Sequence, residues 1–335
     1  MENWFKKDLE TVLAQKAQLP HAMLIKGPRG IGKLGFGLAL TQALLCEKPA
    51  ADATACNACN ACNWFASGSH PDFRLLAPMS ESAEAESEEG AKKGKASPWI
   101  SIEQVRELHD FINVSSHRGG RKIILVAPAE ALNVNAANAL LKSLEEPPAL
   151  TYFILVSHRP HRLPRTIISR CRQLNLLPPD RATALAWLGK QGVEQPEVVL
   201  AQSSGAPLLA LAASAGEELA GRRDFLRAIA STDFDPLTVA ETFRDLPLER
   251  FINWMQKWTY DVVILRMLGE IRYSPDFKRE LSATAQRIEP LAALRLHRKL
   301  VREQRNIHHP LNVRLYIESV LLAYSALVNP SRKAA

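Results

Sequence analysis

This sequence lacks the features that place a protein across a membrane or send it through one. No apolar run approaches the ~18 residues that a membrane-spanning helix needs, and residues 1–7 are charged, without the apolar segment of a secretory signal. We therefore expect a cytoplasmic protein. At 335 residues, with 47% hydrophobic and 23% charged residues, the chain is typical of globular proteins with two or three domains. Its net charge of +7 is compatible with a nucleic-acid partner and equally with an ordinary solvated surface.

Cysteines are few, and four of the five are clustered. Disulfides are rare in a reducing compartment, so the cluster favours metal binding. Two C-x-x-C steps share one cysteine, which suits a closed, structural zinc site with four thiolate ligands, the alternative being free or redox-active thiols. The predicted ligands are Cys46, Cys56, Cys59 and Cys62. Cys171 is distant in sequence and is left out, and His70 is expected to be a turn residue beside Pro71.

A phosphate-binding loop is present, but the hydroxyl that should follow it is missing. A short apolar strand over 21–26 and a helix over 34–45 flank the run Gly27-Pro28-Arg29-Gly30-Ile31-Gly32-Lys33. In such a loop the glycine backbone surrounds phosphates and the lysine reaches their oxygens. Leu34 stands where a Ser or Thr would hold Mg²⁺. The loop predicts a site that could bind ATP without hydrolysing it, and the alternative is a glycine turn that serves packing alone.

Carboxylates are missing where ATP hydrolysis needs them. The strand Lys122–Val126 should end in an acid that holds the metal and another that activates water, yet Ala127 and Pro128 follow it. Ser157 and His158, after the next strand, occupy positions from which a polar group would contact a γ-phosphate. Together with Leu34, the missing acids predict that the chain has no ATPase activity of its own.

One arginine lies shortly after a succession of the strand Lys122–Val126, a helix and a second strand. The strand over 152–156 leads through Pro164 into a short helical turn that ends at Ser169, Arg170 and Cys171. A guanidinium can donate two parallel hydrogen bonds to a phosphate, and an arginine supplied in trans can accelerate phosphoryl transfer ~10³–10⁵-fold. Arg170 is therefore predicted to act on a neighbour's ATP, the alternative being an ion pair with a nearby acid.

Three stretches resemble one known family. The residues 138–148 (NALLKSLEEPP), the triplet 169–171 (SRC) and the four-cysteine module after the phosphate-loop helix are similar to those of the bacterial clamp-loader subunits of DNA polymerase III. The resemblance is specific over roughly 20–210. The ATP-hydrolysing members keep the Thr and an Asp-Glu strand end, whereas this chain resembles the non-hydrolysing ones. The family's lid also has a sensor arginine after a Gly-Ser pair, and here Gly205-Ala206-Pro207 is followed by Leu208.

This resemblance implies a three-part architecture. We expect an α/β AAA+ phosphate-loop module over 1–177, with the zinc module at about 46–64 and a flexible, charged insert at about 79–98. A small helical lid over 178–215 and an all-α collar over 216–330, which assembles the loader, should follow. Within these parts the residue pattern predicts an amphipathic helix over 4–17 and a capping box at Ser101 and Gln104.

The resemblance also implies a function. Arg170, with Ser169, would complete the ATP site of a neighbouring gamma/tau subunit, and this chain would be the non-catalytic stator in a complex with gamma/tau and delta. That complex would load the sliding clamp on primed DNA. Two alternatives remain open: an AAA+ ATPase in its own right, and a zinc-dependent DNA-binding module. A basic face over 291–306 could line DNA or simply be solvated; it comprises Arg295, Arg298, Lys299, Arg302 and Arg305.

Overall fold

The computed structural model describes residues 2–79, 97–114, 120–216, 218–304 and 312–329. The chain forms two compact units, Met1–Pro179 and Asp180–Ala335. The predicted insert at 79–98 lies almost wholly outside the described residues, and so does Arg305. The finer division into a lid and a collar stays a prediction.

A parallel sheet of five strands forms the centre of the N-terminal unit. In chain order the strands are β1 (Ala22–Lys26), β2 (Phe73–Leu76), β3 (Lys122–Val126), β4 (Thr151–Ser157) and β5 (Arg172–Asn175). They stand in the order β2-β3-β4-β1-β5. The near-continuous apolar sequences of the three central strands fit a sheet covered on both faces there, whereas the two edge strands are more exposed. Lys26, at the end of β1, is in register with Ser157 of β4 and with Asn175 of β5. The carboxyl ends of these strands therefore meet at one edge, beside the phosphate loop.

Six helices accompany the sheet in the described part of this unit. The helix predicted over 4–17 is shorter than expected: 3₁₀ turns at Asn3–Phe5 and Lys16–Gln18 bracket an α-helix, because Gln15 leaves the helical region and its N–H bonds to the carbonyl of Val12. The helices are α1 (Lys6–Ala14), α2 (Lys33–Leu45), α3 (Asn60–Ala66), α4 (Ile102–Asn113), α5 (Val134–Glu145) and α6 (Arg165–Arg170).

Local capping fixes the starts of α4 and α5. The Ser101 hydroxyl accepts from the Gln104 N–H and the Gln104 side chain accepts from the Ser101 N–H, so the predicted capping box is confirmed. Asn133 caps α5 by accepting from the Ala136 N–H. Apolar side chains of both helices, such as Leu108 and Leu140, join the core beneath the sheet. The α/β part of the predicted fold is thereby confirmed.

The described part of the C-terminal unit is helical. Val199 and Leu200 belong to a small apolar cluster of the first three helices, and a larger cluster runs from Phe225 to Val328. The segment with the predicted basic face, 291–306, is an α-helix over Pro290–Glu303. The helices are α7 (Arg181–Lys190), α8 (Pro196–Gln202), α9 (Pro207–Ser214), α10 (Glu218–Ala230), α11 (Pro236–Thr242), α12 (Leu248–Leu268), α13 (Lys278–Arg287), α14 (Pro290–Glu303) and α15 (Val313–Val328).

Two buried polar contacts organise the larger cluster. The indole N–H of Trp258 donates to the Tyr324 hydroxyl at 2.8 Å, so two large rings pack without an unpaired polar atom between them. The carboxylate of Asp261, which is fully buried, accepts hydrogen bonds from the backbone N–H groups of Arg272, Tyr273 and Ser274 at distances of 2.8–3.2 Å. Asp261 thus fixes the connection that follows α12.

Candidate functional site

The phosphate loop connects β1 to α2, as the sequence predicts. Gly32 immediately precedes α2 with φ +98°, a conformation that favours glycine. A side chain at Gly27 would collide with the backbone oxygen of Leu176, just after β5. The Leu176 N–H also donates to the carbonyl of Lys26. The loop is therefore tied to the last strand of the sheet by backbone contacts.

The lysine of this loop is turned inward. Lys33 is only 2% exposed, and its ammonium donates a hydrogen bond to the carbonyl oxygen of Pro28 in the same loop. Burial lowers the pKa of Lys33 to about 8, with the charge of Glu130 opposing that shift. Leu34 follows with 42% of its surface exposed and offers no hydroxyl for a metal.

Glu130 is a residue of this region that the sequence reasoning missed. It lies in a 3₁₀ turn, Ala129–Ala131, after the buried end of β3, where Ala127 and Pro128 supply no carboxylate. Its carboxylate accepts hydrogen bonds from the backbone N–H groups of His158 at 2.9 Å and Arg159 at 3.0 Å. The sequence feature that could have pointed to Glu130 is an acidic residue in the turn that follows Pro128. Because both contacts tie the end of β4 to the loop after β3, the carboxylate is already engaged.

Two buried side-chain atoms at the end of β4 lack a hydrogen-bond partner within the described residues. Ser157 is fully buried, and within the described residues neither its Oγ nor Nδ1 of His158 makes a hydrogen bond. Burial and the positive charge of Lys33 lower the pKa of His158 to about 4, so its ring is neutral near pH 7. The structure thus brings Ser157, His158 and Lys33 to one edge of the sheet.

Arg170 ends the short helix α6 and is exposed. Its Nη1 donates to the Thr166 carbonyl at 3.0 Å, and its Nη2 lies 2.5 Å from a carboxylate oxygen of Glu145, the last residue of α5. The Ser169 hydroxyl bonds back to the same Thr166 carbonyl at 3.0 Å. Cys171 is buried, which raises the pKa of its thiol to about 11. The guanidinium is thus reachable from solvent while an acid of its own chain already holds it.

The four clustered cysteines converge. Their sulfur atoms all lie within 4.8 Å of one another, so the group could hold a metal ion. Cys46 follows α2, and Cys59 immediately precedes α3, so two helices position the ligands. Burial acts to raise the pKa of Cys59, but hydrogen bonds from neighbouring groups outweigh it and lower that pKa to about 7. Among the described residues, His70 does not belong to the group, and its Nδ1 accepts from the Asp72 N–H at 3.1 Å, in the turn predicted for it.

The basic face of α14 is solvent-exposed where it is described. Arg295, Arg298 and Arg302 are exposed, and the ammonium of Lys299 lies 3.7 Å from Glu303 one turn later. One cation of the face is thus paired with an acid of its own helix. Across the described residues, none of the helices is long and apolar enough to cross a membrane.

Comparison with known proteins identifies the family. A family model described as "DNA polymerase III, delta subunit" matches residues 2–180. The chain is 33% identical to DNA polymerase III subunit delta' of Pseudomonas aeruginosa, over 97% of this chain and 98% of the relative, and 33% identical to the Escherichia coli subunit delta', over 78% and 75%. A solved gamma subunit-related protein from Thermotoga maritima has a TM-score of 0.46 at 16% identity, over 96% of this chain and 99% of that chain. The chain belongs to the DNA polymerase III subunit delta' family.

Proposed function

We propose that this chain is the non-catalytic stator of the DNA polymerase III clamp loader and that Arg170 completes the ATP site of a neighbouring gamma/tau subunit. In this role the chain supports hydrolysis elsewhere. One contrast carries the proposal: Arg170 is exposed, whereas the chain's own loop has Leu34 in place of the metal-binding hydroxyl.

The loss of intrinsic hydrolysis rests on two features of the N-terminal unit. No carboxylate follows β3 directly, and the acid nearest to that strand end, Glu130, is held by the backbone N–H groups of two residues. Magnesium and the attacking water both need an oriented oxygen ligand or base. Lys33 can still offer a positive charge to a phosphate, so ATP binding without turnover is part of the proposal.

The action of Arg170 in trans is tested in a reconstituted complex. Wild-type chain, Arg170→Ala and Arg170→Lys are each mixed with gamma/tau and delta subunits, and ATP hydrolysis and loading of the clamp on primed DNA are measured. In Arg170→Ala, the ATP site of the neighbouring gamma/tau subunit should lose its activity. Arg170→Lys should recover little of it, because an ammonium cannot make two parallel hydrogen bonds. Arg165→Ala, an exposed arginine at the start of the same helix, is the matched control. Unchanged activity in Arg170→Ala would show that the proposal is wrong.

A second candidate function is ATP hydrolysis by this chain alone. The observation that favours it is the intact lysine and glycines of the loop, beside a Ser157 hydroxyl that makes no hydrogen bond within the described part of the chain. Turnover by the purified chain that is lost in Lys33→Ala would establish this function and remove the stator proposal.

For the cysteine cluster we propose a structural zinc ion. Four thiolates at a Zn–S distance of ~2.3 Å place tetrahedral sulfur atoms about 3.8 Å apart. The sulfur of Cys46 lies 3.6 Å from that of Cys56 and 3.9 Å from that of Cys59, and Cys56 and Cys62 are 4.0 Å apart. These separations fit a zinc ion whose four coordination positions are all taken by thiolates. Such an ion would hold α2 and α3 together and would have no position free for catalysis.

A further inference from the structure

A half-open cavity of about 300 Å³ lies within the C-terminal unit, among helices α8, α9, α10 and α12. Its walls are mostly apolar and include Leu209 and the ring of Trp254, which is only 5% exposed. A volume of this size is at the lower end of the range for small-molecule sites. The cavity belongs to neither the phosphate loop nor the Arg170 region.

Two cations reach this cavity from different helices, and only one of them is neutralised. Arg222 of α10 is 3% exposed and makes two hydrogen bonds to Asp276, at 2.9 and 3.2 Å. Lys257 of α12 has no such partner: in the described part of the chain no carboxylate forms an ion pair with its ammonium. Among the residues that the structure describes, Glu218 is the acid whose charge favours the protonated form of Lys257.

An unpaired ammonium against an apolar wall is costly. Burial lowers the pKa of Lys257 to about 8, and the charge of Arg222 adds to the shift. Helices α8 and α9, with Ser203 just after α8, line the cavity only with the neutral Gln202 and Ser203 beside apolar residues. A single negative charge placed here would therefore pair with Lys257. A polyphosphate would bring more negative charge than Lys257 can balance, because Arg222 is already paired with Asp276.

We propose that this cavity binds a small organic carboxylate with an aromatic body, its carboxylate paired with Lys257 and its ring against Trp254. The apolar walls supply contact area, and the ammonium supplies the charge selectivity. A neutral analogue of the same shape should bind less well, because it leaves the ammonium unpaired.

The test uses phenylbutyrate as the probe and the full chain, with calorimetric titration near pH 7. We expect a Kd of about 1 mM or tighter, in keeping with the affinity of small ligands. Lys257→Met should weaken binding at least about tenfold, and phenylbutanol should bind the wild type about as poorly as phenylbutyrate binds the variant. Lys278→Met, at an exposed lysine of the same unit, is the control and should bind like the wild type.

Two further measurements separate the site from a general apolar surface. Leu209→Trp fills the cavity while keeping Lys257, and it should abolish binding. Raising the pH from about 7 to about 9.5 should weaken binding at least about tenfold, because Lys257, whose pKa is about 8, loses the proton that pairs it with the carboxylate. Equal binding of phenylbutanol, an unaffected Lys257→Met, or no binding of phenylbutyrate at several times the expected Kd would each overturn the proposal.

Discussion

The guanidinium of Arg170 and the carboxylate of Glu145 form an ion pair with 2.5 Å between Nη2 and Oε1. The two residues end α6 and α5, and both belong to the stretches by which the sequence resembles clamp-loader subunits. About a third of the Arg170 side chain and half of that of Glu145 remain exposed, so water screens the pair. Such pairs contribute ~0–1 kcal/mol. An acceptor on another subunit would therefore meet little resistance from Glu145.

Substitution of Glu145 tests whether this acid competes for Arg170. Glu145→Gln removes the charge and keeps the shape, so the guanidinium becomes easier to engage elsewhere. ATP hydrolysis by the reconstituted complex should rise up to about fivefold, the equivalent of ~1 kcal/mol. Glu146→Gln, at the exposed neighbouring acid, should change nothing. A loss of activity as large as that of Arg170→Ala would instead mean that Glu145 positions the arginine.

Lys33 should make stability depend on pH in a defined direction. Below about pH 8 the lysine is protonated in both folded and unfolded chains, so the cost of burying its charge is fully present. As the pH rises from 8 towards the ordinary pKa of 10.5, the folded chain loses the proton first, and folding becomes more favourable. Between pH ~7 and ~10 the wild type should gain roughly 2–3 kcal/mol relative to Lys33→Met.

Urea unfolding of the two proteins at both pH values measures this difference. Groups that Lys33 does not influence titrate alike in the two chains, so their contributions cancel. Lys33 also lowers the pKa of His158, but the measured pH range lies above the ordinary pKa of that histidine, 6.5. A stability difference between wild type and Lys33→Met that is independent of pH would show that the ammonium is solvated in the folded chain.

Metal content distinguishes zinc from free thiols. The purified chain should contain one zinc ion, detected by elemental analysis and native mass spectrometry. Cys59→Ser should lose the ion and lower the melting temperature, because the cluster holds α2 and α3 in place. Cys171→Ser is the matched control, since Cys171 lies outside the cluster and should leave the metal bound. A metal-free wild type of unchanged melting temperature would rule out a structural ion.

Asp261 should be among the costliest residues to remove from the C-terminal unit. Asp261→Ala leaves the backbone N–H groups of Arg272, Tyr273 and Ser274 without their acceptor in a buried place. At ~1–3 kcal/mol for each unsatisfied group, a loss of at least about 3 kcal/mol is expected. Asp261→Asn keeps one oxygen and should lose less. Chemical denaturation followed by circular dichroism gives both values, and equal losses in the two variants would contradict this account.

The regular elements could be predicted from the sequence because their signals are local. The strand Lys122–Val126 has the predicted bounds, and the capping box of Ser101 lies where its two residues indicate. Alternation, apolar runs and capping residues act over a few positions. The four cysteines were also recognisable, since their spacing is itself the geometric requirement of a closed site.

Contacts between distant parts of the chain could not be predicted. Glu130 binds the backbone N–H of His158, 28 residues later, and nothing in the sequence around either residue selects the other. The pairing of Arg170 with Glu145 likewise depends on how α5 and α6 pack. The position of Lys257, which forms no ion pair within the described residues, could not be predicted for the same reason: a lysine in a helix is expected to be solvated until its neighbours are known.

The close approach of the Leu176 backbone to Gly27 requires a glycine at this position of the loop, whether or not a ligand binds there. The segment that leaves the sheet passes directly over the loop and hydrogen-bonds to Lys26. Even alanine at position 27 would push that segment outward and strain the last strand. A chain that never turns over a nucleotide would therefore still be damaged by losing this glycine, and a mutant phenotype there would be no proof of catalysis.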